Sequence, residues 1–335
     1  MWLDKRNDDA LPWLLEDDPA NPGVRYFALR DLLGRPADDP DVQAAQQAVM
    51  QTGPVPAILD AQDSQGHWVK PGGGYSPKYR GTVWQIMLLA ELGADPADAR
   101  VREGCSYLLE HSMATNGAFA AGQNPHPAGA IHCLNGNLLT ALLSLGFGND
   151  PRVDSALNWL ARSITGEPPI QYQGWGTCGP GFACGVNEGQ PCGWGANKAL
   201  RALLAVPAER RTPPMQRAID AGVEFLLSRD PAVADYPYTG RVSPTWFKLG
   251  FPLSYWSDVL ETAAVLVQAG FGTDPRVVPV LSLIIGKQDA HGRWRLENSL
   301  NGKMWVDIER RGKPSKWVTL RVLRVLQQAD RAGNG

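Results

Sequence analysis

Two stretches read almost alike: "GFGNDPRV" at 146–153 and "GFGTDPRV" at 270–277. "ADPADARV" (94–101) and the looser "GRPADDPDV" (34–42) repeat the pattern. In each, a Gly stops one apolar segment, an Asp is placed to cap the next, and a Pro takes the first turn of a helix. Two helical patterns lie between these marks. One is amphipathic, as in "VDSALNWLARSI" (153–164) or "RAIDAGVEFLLS" (217–228). The other is apolar nearly all round, as in "LNGNLLTALLSL" (134–145) or "VLETAAVLVQAG" (259–270). A helix without a polar face is buried on every side. Each unit therefore reads as an outer helix followed by an inner one, with a period of roughly 55–60 residues.

Inner helices are expected to start near 82, 134, 195, 257 and 315, and their outer partners near 54, 97, 151, 213 and 275. An N-terminal pair at 24–34 and 41–51 supplies a sixth unit, so that 1–52 packs on or completes the array. The fold class is all-α: an α/α toroid, a barrel of helices inside a barrel of helices, in one domain over 1–335. No run alternates as a strand would. Inner-to-outer turns are short, whereas the outer-to-inner loops 112–132, 164–192, 229–254 and 289–314 are long. Long loops build working surfaces, which places function at the N-termini of the inner helices, where free amides and positive dipole ends suit an anion.

Composition excludes several classes. A net charge of −2 gives no electrostatic footprint for nucleic acid. No apolar run reaches the about 18 residues a membrane span needs. The polar start "MWLDKRNDDALPW" has no apolar h-region, which predicts a cytoplasmic protein with reduced thiols. Nothing calls for a nucleotide cofactor, and oligomeric state is not legible.

Two units carry a further signature, Q-D-x-x-G-x-W, in "AQDSQGHW" (61–68) and "KQDAHGRW" (287–294). "YLLEHSMATNGAF" (107–119) and "QGWG" (173–176) echo it. This resembles the Gln–Trp repeat of squalene and terpene cyclases and the repeats of protein prenyltransferase β subunits. The chain is more similar still to bacterial single-domain prenyltransferase/squalene-oxidase repeat proteins of unassigned reaction. The stretches that carry this likeness are "WLLEDDPANPGVRYFALRDLLGRP" (13–36), "SPKYRGTVWQIMLLAELG" (76–93), "CLNGNLLTALL" (133–143), "CGWGANKALRALL" (192–204) and "SKWVTLRVLRVL" (315–326). The resemblance implies a toroid with a central apolar cavity for a polyprenyl ligand. The families' D-x-D-D acid, D-D-x-x-D magnesium motif and D-x-C zinc motif are all missing, so the resemblance brings a fold without a reaction.

The starts of the inner helices supply the candidate site. Trp84, Trp194, Tyr255, Trp256 and Trp317 recur there and would line an aromatic cavity, cation–π contacts being worth roughly 0.5–2 kcal/mol each. The alternative is that these rings fill gaps between helix ends. Asp258 is the candidate general acid, if an apolar rim keeps it protonated; as a first-turn residue it would instead complement the helix dipole. Asp307 and Glu309 are further acidic candidates. Arg80, with Lys78, Arg241, Lys248 and Lys316, is a candidate anchor for a diphosphate, and Asn137 a polar contact; ordinary surface charge is the alternative.

Cys178, Cys184 and Cys192 stand in the Gly-rich stretch 174–200, and Cys133 opens a neighbouring inner helix. Together they are candidate ligands of a structural Cys₄ zinc site that pins a loop with little core of its own. His132 or His126 could replace one thiol; free thiols are the alternative, and a disulfide, against which the odd count of five cysteines speaks, is a third. Cys105 sits in an amphipathic outer helix as core packing. In the resembling bacterial group cysteines recur at the positions of Cys133, Cys178 and Cys192; a further one is absent here from "AFAAGQNPHP" (118–127).

Two other readings stay open: a non-catalytic lipid-binding or interaction module on the same toroid, and a carbohydrate-active α/α barrel using Trp platforms and paired carboxylates.

Overall fold

The computed structural model describes all residues except Asp8, 168–177, 238–241, 334 and 335. The helices in chain order are α1 (Leu11–Leu15), α2 (Pro22–Phe27, continued by a wider turn over Ala28–Leu32), α3 (Pro40–Gln51), α4 (Pro54–Leu59), α5 (Thr82–Leu92), α6 (Ala99–His111) and α7 (His132–Ser144). They continue with α8 (Pro151–Thr165), α9 (Gly193–Ala205), α10 (Pro213–Leu227), α11 (Val259–Leu266, widened over Val267–Phe271), α12 (Val278–Ile285) and α13 (Lys316–Gly333). Among the described residues there are isolated β-bridges but no strands.

Six helices, α2, α5, α7, α9, α11 and α13, form the inner ring. α3 with α4, and then α6, α8, α10 and α12, lie outside it. Successive inner helices pack on one another, and α13 packs on α2. The ring closes at Gly23: a Cβ there would fall 2.3 Å from the Leu92 carbonyl oxygen and 2.8 Å from the Trp317 ring. α2 is therefore wedged between α5 and α13. Gly136 plays the same part between α7 and α9, where a Cβ would come 2.3 Å from the Lys198 carbonyl. The array is a closed α/α toroid. The continuous buried core runs from Leu14 to Ala329.

The repeated punctuation acts as its chemistry requires. Gly93, Gly146 and Gly270 take φ of 84°, 83° and 95°, the left-handed conformation that ends an inner helix. Asp39, Asp98 and Asp150 cap α3, α6 and α8. Asp150 accepts from Arg152 N at 2.8 Å and pairs with the Arg152 guanidinium at 2.7 Å; Asp274 and Arg276 repeat both contacts at the same distances. α12 starts three residues later than the sequence predicts. Its first turn is set by Pro279, with Val277 at the cap position.

The Q-D-x-x-G-x-W segments form one turn, built twice. Trp68 donates its indole N–H to Ile58 O at 2.7 Å, and Trp294 to Ile284 O at 2.7 Å. Their backbone amides donate to Thr82 Oγ1 (3.1 Å) and Thr319 Oγ1 (3.0 Å), each in the first turn or two of the next inner helix. The weaker echo keeps the geometry with other side chains: Ala114 N donates to Ala118 O, as Asp63 N does to His67 O, and Phe119 N donates to Asn135 Oδ1 at 2.8 Å. Each turn thus ties the end of an outer helix to the start of the next inner one. The "QGWG" echo lies outside the described residues.

Candidate functional site

A cavity of about 650 Å³ occupies the centre of the inner ring. Its closed end is apolar, made by Phe27, Phe251, Leu253, Leu260 and Trp317, all buried. Trp317 stacks flat on Phe251, centroids 4.4 Å apart and planes 4° from parallel, and donates its N–H to Asn21 Oδ1 at 3.0 Å. Arg30, Ala37, Gln268 and Gln328 stand exposed at the other end. The mouth therefore lies at the C-terminal ends of the inner helices. The sequence predicts a working surface at their N-termini, but the long loops fold over that end and fill it with Phe251, Leu253 and their neighbours.

The wall between the two ends is charged. Arg30, Arg201, Arg321, Arg324, Glu91 and Glu261 all line it. Lys198, fully buried just behind, gives Nζ to both carboxylate oxygens of Glu261 at 2.7 Å. Arg201 reaches Glu91 at 3.3 Å and Glu261 at 3.7 Å. Arg324 pairs with Asp31, which also holds Arg30. Burial, together with the like charges of Arg30 and Arg201, pulls the Arg324 guanidinium down to about 10 despite Asp31. Its Nε is buried without a hydrogen-bond partner. Burial also lowers Lys198, with Glu261 opposing. Arg321 moves the other way, because the Asp258 pair outweighs its burial.

Asp258 caps α11 and is fully buried. It accepts four hydrogen bonds: from Glu261 N (2.8 Å), Gly250 N (3.1 Å), and Arg321 Nη1 and Nη2 (3.0 and 3.1 Å). Of the aromatic candidates, Trp317 lines the central cavity. Trp84 and Tyr255 meet edge to face at 5.1 Å under the long loops, where Trp84 donates to Tyr75 O at 2.8 Å. Trp194 packs near Trp246 at 6.4 Å, and Trp256 is half-buried with its Nε1 unpartnered. Asn137 ties α7 to the loop through Ser254 O at 3.0 Å. Arg80 is exposed, stacked over Trp305 at 5.4 Å. Lys248 is exposed, Lys316 pairs with Glu16 and Asp18 at 3.3 Å each, and Arg241 lies outside the described residues. Asp307 accepts from Gly302 N at 2.6 Å. Glu309 accepts from Lys316 N at 2.6 Å and from Ser315, with burial raising it.

All five cysteines are free thiols. Cys178 and Cys184 pair across a β-bridge, and Cys192 Sγ accepts from Gly195 N at 3.4 Å at the start of α9. A hydrogen bond from Cys192 favours the Cys184 thiolate and lowers Cys184, while Cys192 itself rises. Burial pushes Cys133 up to about 12, with Cys184 adding to it, and Cys178 still higher. The four thiols are thus close enough to act on one another. Among the described residues, however, no three His, Cys, Asp or Glu side chains are arranged to hold a metal ion. His132 is buried against Ser163 Oγ at 3.1 Å, and burial drops it to about 3. His126 caps its own turn through Ala128 N.

The sequence reading missed the charged wall. Its signal was a cation or carboxylate inside an otherwise apolar helix: Glu91 in "LLAELG" (88–93), Lys198 and Arg201 in "NKALRALL" (197–204), Arg321 and Arg324 in "LRVLRVL" (320–326).

No protein-family model and no curated protein matches the sequence. Solved structures align with this chain. A glycosyl hydrolase family 88 protein from Bacteroides vulgatus aligns with a TM-score of 0.51 at 11% identity, over 99% of this chain and 98% of that one. An unsaturated glucuronyl hydrolase specific for heparin aligns at 0.49 and 10% identity, over 95% and 87%. The type II terpene cyclase MstE from Scytonema aligns at 0.30 and 14% identity, over 83% and 96%. The first of these likenesses carries the fold and nothing of the reaction, and the other two carry neither. No helix among the described residues is long and apolar enough to cross a membrane.

Proposed function

We propose that the protein binds, and acts on, an amphipathic anion in its central cavity, and that this ligand is an isoprenoid carrying a phosphate or diphosphate group. The observation behind this reading is the polarity of the cavity. Its buried end offers Phe27, Phe251 and Trp317 to a hydrocarbon, while Arg30, Arg201 and Arg324 stand along the way to the mouth. The size falls within the roughly 300–1,000 Å³ range of small-ligand pockets. The prenyl tail would lie inward and the charged head toward the arginines. In this reading Asp258, with four donors already bonded, positions Arg321 and the start of α11. Glu91 is the cavity carboxylate with the fewest partners, hydrogen-bonded to Arg201.

The test is a thermal shift with farnesyl and geranylgeranyl diphosphate, followed by a search for product. At a ligand concentration of 100 Kd the stabilisation is about 2.7 kcal/mol, a rise of roughly 4 °C for a chain of this length. Trp317→Ala and Arg324→Leu should each reduce it. No shift with any prenyl substrate discards the reading. A bound lipid without turnover, seen by native mass spectrometry, would make the protein a carrier.

A second reading rests on Glu91 and Glu261. Both contact Arg201 Nη1, at 3.3 and 3.7 Å, so their bonded oxygens lie no more than 7.0 Å apart. Paired carboxylates at roughly 5–9.5 Å are what glycoside hydrolysis uses. An acidic sugar could stack on Trp317 and offer its carboxylate to the arginines. Release of nitrophenol from aryl uronides, lost in Glu91→Gln, would favour this reading over the first.

A further inference from the structure

The Gly-rich loop before α9 holds a short ladder of three chain segments that takes no part in the central cavity. Cys178 pairs with Cys184, and Ala183 with Pro191, both antiparallel. Cys184 N donates to Gln190 O at 3.1 Å, and Cys192 N to Phe182 O at 2.9 Å. Successive residues of an extended segment face opposite ways. Ala183 and Pro191 therefore share one face of the ladder, and Cys178, Cys184 and Cys192 share the other. Cys133, at the start of α7, is close enough to act on all three. Four thiols meet here, yet among the described residues no three His, Cys, Asp or Glu side chains are arranged to hold a metal ion.

The register decides which sulfurs can bond to each other. The hydrogen bond beside Cys178 and Cys184 runs from Gly179 N to Ala183 O at 2.8 Å, flanking the pair rather than joining it. Such a pair has Cα atoms about 4.5 Å apart, inside the roughly 4.4–6.8 Å that a disulfide spans. Cys184 lies opposite Gln190, so Cys192 is its diagonal neighbour. Diagonal Cα atoms stand about 7–8 Å apart, beyond that span. Cys192 instead donates a hydrogen bond to the Cys184 sulfur. The turn between Cys178 and Cys184 is anchored by Phe182, which is 1% exposed and stacks on Phe225 at 5.5 Å. The two thiols thus face each other before any bond forms. Cys178 is buried and donates to Ala130 O at 3.5 Å, whereas Cys184 is half-buried beside the exposed Gly185 and Val186. A reagent arriving from solvent meets Cys184 first.

We propose that Cys184 is a site of reversible oxidation by a small hydroperoxide, with Cys178 as the thiol that resolves it into a disulfide. An accessible thiol poised next to a second one is the arrangement this chemistry needs. In the first step the Cys184 sulfur attacks one peroxide oxygen and the O–O bond breaks. The departing oxygen leaves as water with the thiol's proton, and Cys184 becomes a sulfenic acid. In the second step the Cys178 sulfur attacks the Cys184 sulfur, and the hydroxyl leaves as a second water with the Cys178 proton. Two thiols give up two electrons, and one hydrogen peroxide is reduced. A small thiol reverses the bond by exchange. The proposal does not depend on the reading of the central cavity.

The test is a single equivalent of hydrogen peroxide added to the intact protein. Free thiols should fall from five to three, and peptide mass spectrometry without reductant should show Cys178 joined to Cys184. Dithiothreitol should restore all five. In Cys178→Ser the sulfenic acid should persist on Cys184, where dimedone traps it. In Cys184→Ser no bridge should form. Where Cys178→Ser fails to fold, as circular dichroism would show, the linked peptide of the intact protein and its loss in Cys184→Ser decide. Thiols that all survive peroxide, a bridge from Cys184 to Cys192 or Cys133 in place of Cys178, or thiols that react only after a chelator has removed bound zinc would overturn the proposal.

Discussion

Removing Lys198 tests whether the charged wall of the cavity is held as tightly as its geometry implies. The Nζ makes both of its hydrogen bonds to Glu261, at 2.7 Å each, with its side chain 0% exposed and that of Glu261 3%. Breaking a buried pair by removing one partner leaves an uncompensated charge and costs about 3–5 kcal/mol. Lys198→Met should fall at the lower end, near 3 kcal/mol, because Glu261 keeps Arg201 at 3.7 Å. Glu261→Met should fall at the upper end, because it takes both acceptors from a fully buried ammonium. The double variant replaces the pair by two side chains of similar volume and should recover most of the loss, since such replacements are often neutral. The measurement is urea unfolding followed by circular dichroism on all four proteins, at constant m-value. A coupling of at least about 2 kcal/mol is expected. Single variants that each cost under about 1 kcal/mol, with an additive double variant, would refute the reasoning, for they would mean that water reaches the pair.

Three further outcomes follow from the same contacts. His132 is neutral in the folded chain and titrates near 3, against 6.5 when exposed. Its unfolded form therefore binds the extra proton, and stability falls as pH drops below about 6.5, by about 1.4 kcal/mol per unit or roughly 2 kcal/mol by pH 5; His132→Gln should flatten that part of a stability–pH profile. Trp68→Phe and Trp294→Phe each lose one indole hydrogen bond and should each cost about 1 kcal/mol in urea unfolding, and a difference between the two copies of more than about 1 kcal/mol would break the equivalence of the turns. Iodoacetamide at neutral pH should label Cys184 ahead of Cys133 and Cys178, and Cys192→Ala should abolish that order, read by peptide mass spectrometry; elemental analysis showing one zinc per chain in protein that resists labelling would instead mean that the four thiols close on a metal.

The ring was legible because its signals are local. A left-handed Gly after an apolar run, an Asp cap and a helix-starting Pro are decided by a few adjacent residues, and Gly146, Asp150 and Pro151 act as their types require. The same holds for Trp68 and Trp294, whose matching motifs give matching hydrogen bonds. The polarity of the cavity was less legible. Loop length alone points to the N-terminal ends of the inner helices, whereas the central cavity opens at their C-terminal ends, because the loops are long enough to fold inward and pack. Phe251 stacking on Trp317 is a contact across 66 positions that no periodicity announces. Asp258 shows the same limit. Its place at the start of a helix can be read from "YWSDVLE" (255–261), but its bond to Arg321 depends on how α11 and α13 face each other.

The buried charges also bear on why this ring has one order. Around the toroid, Asp31 beside α13 meets Arg324, Arg321 on α13 meets Asp258 at α11, and Glu261 on α11 meets Lys198 on α9. α7 contributes no charge to the wall, and Arg201 on α9 reaches past it to Glu91 on α5. Opposite signs therefore face each other at each of these steps. An apolar interior would be at least as stable, but it would let apolar inner helices of similar length trade places or slip by a turn. Exchanging α11 with α9 or with α13 brings Lys198 and Arg201 of α9 against Arg321 and Arg324 of α13, and like charges in place of opposite ones disfavour that order. The pairs that fix the order also keep guanidinium groups along the cavity wall. A single set of residues thus specifies the assembly of the toroid and gives its hollow the charge by which it would select a ligand.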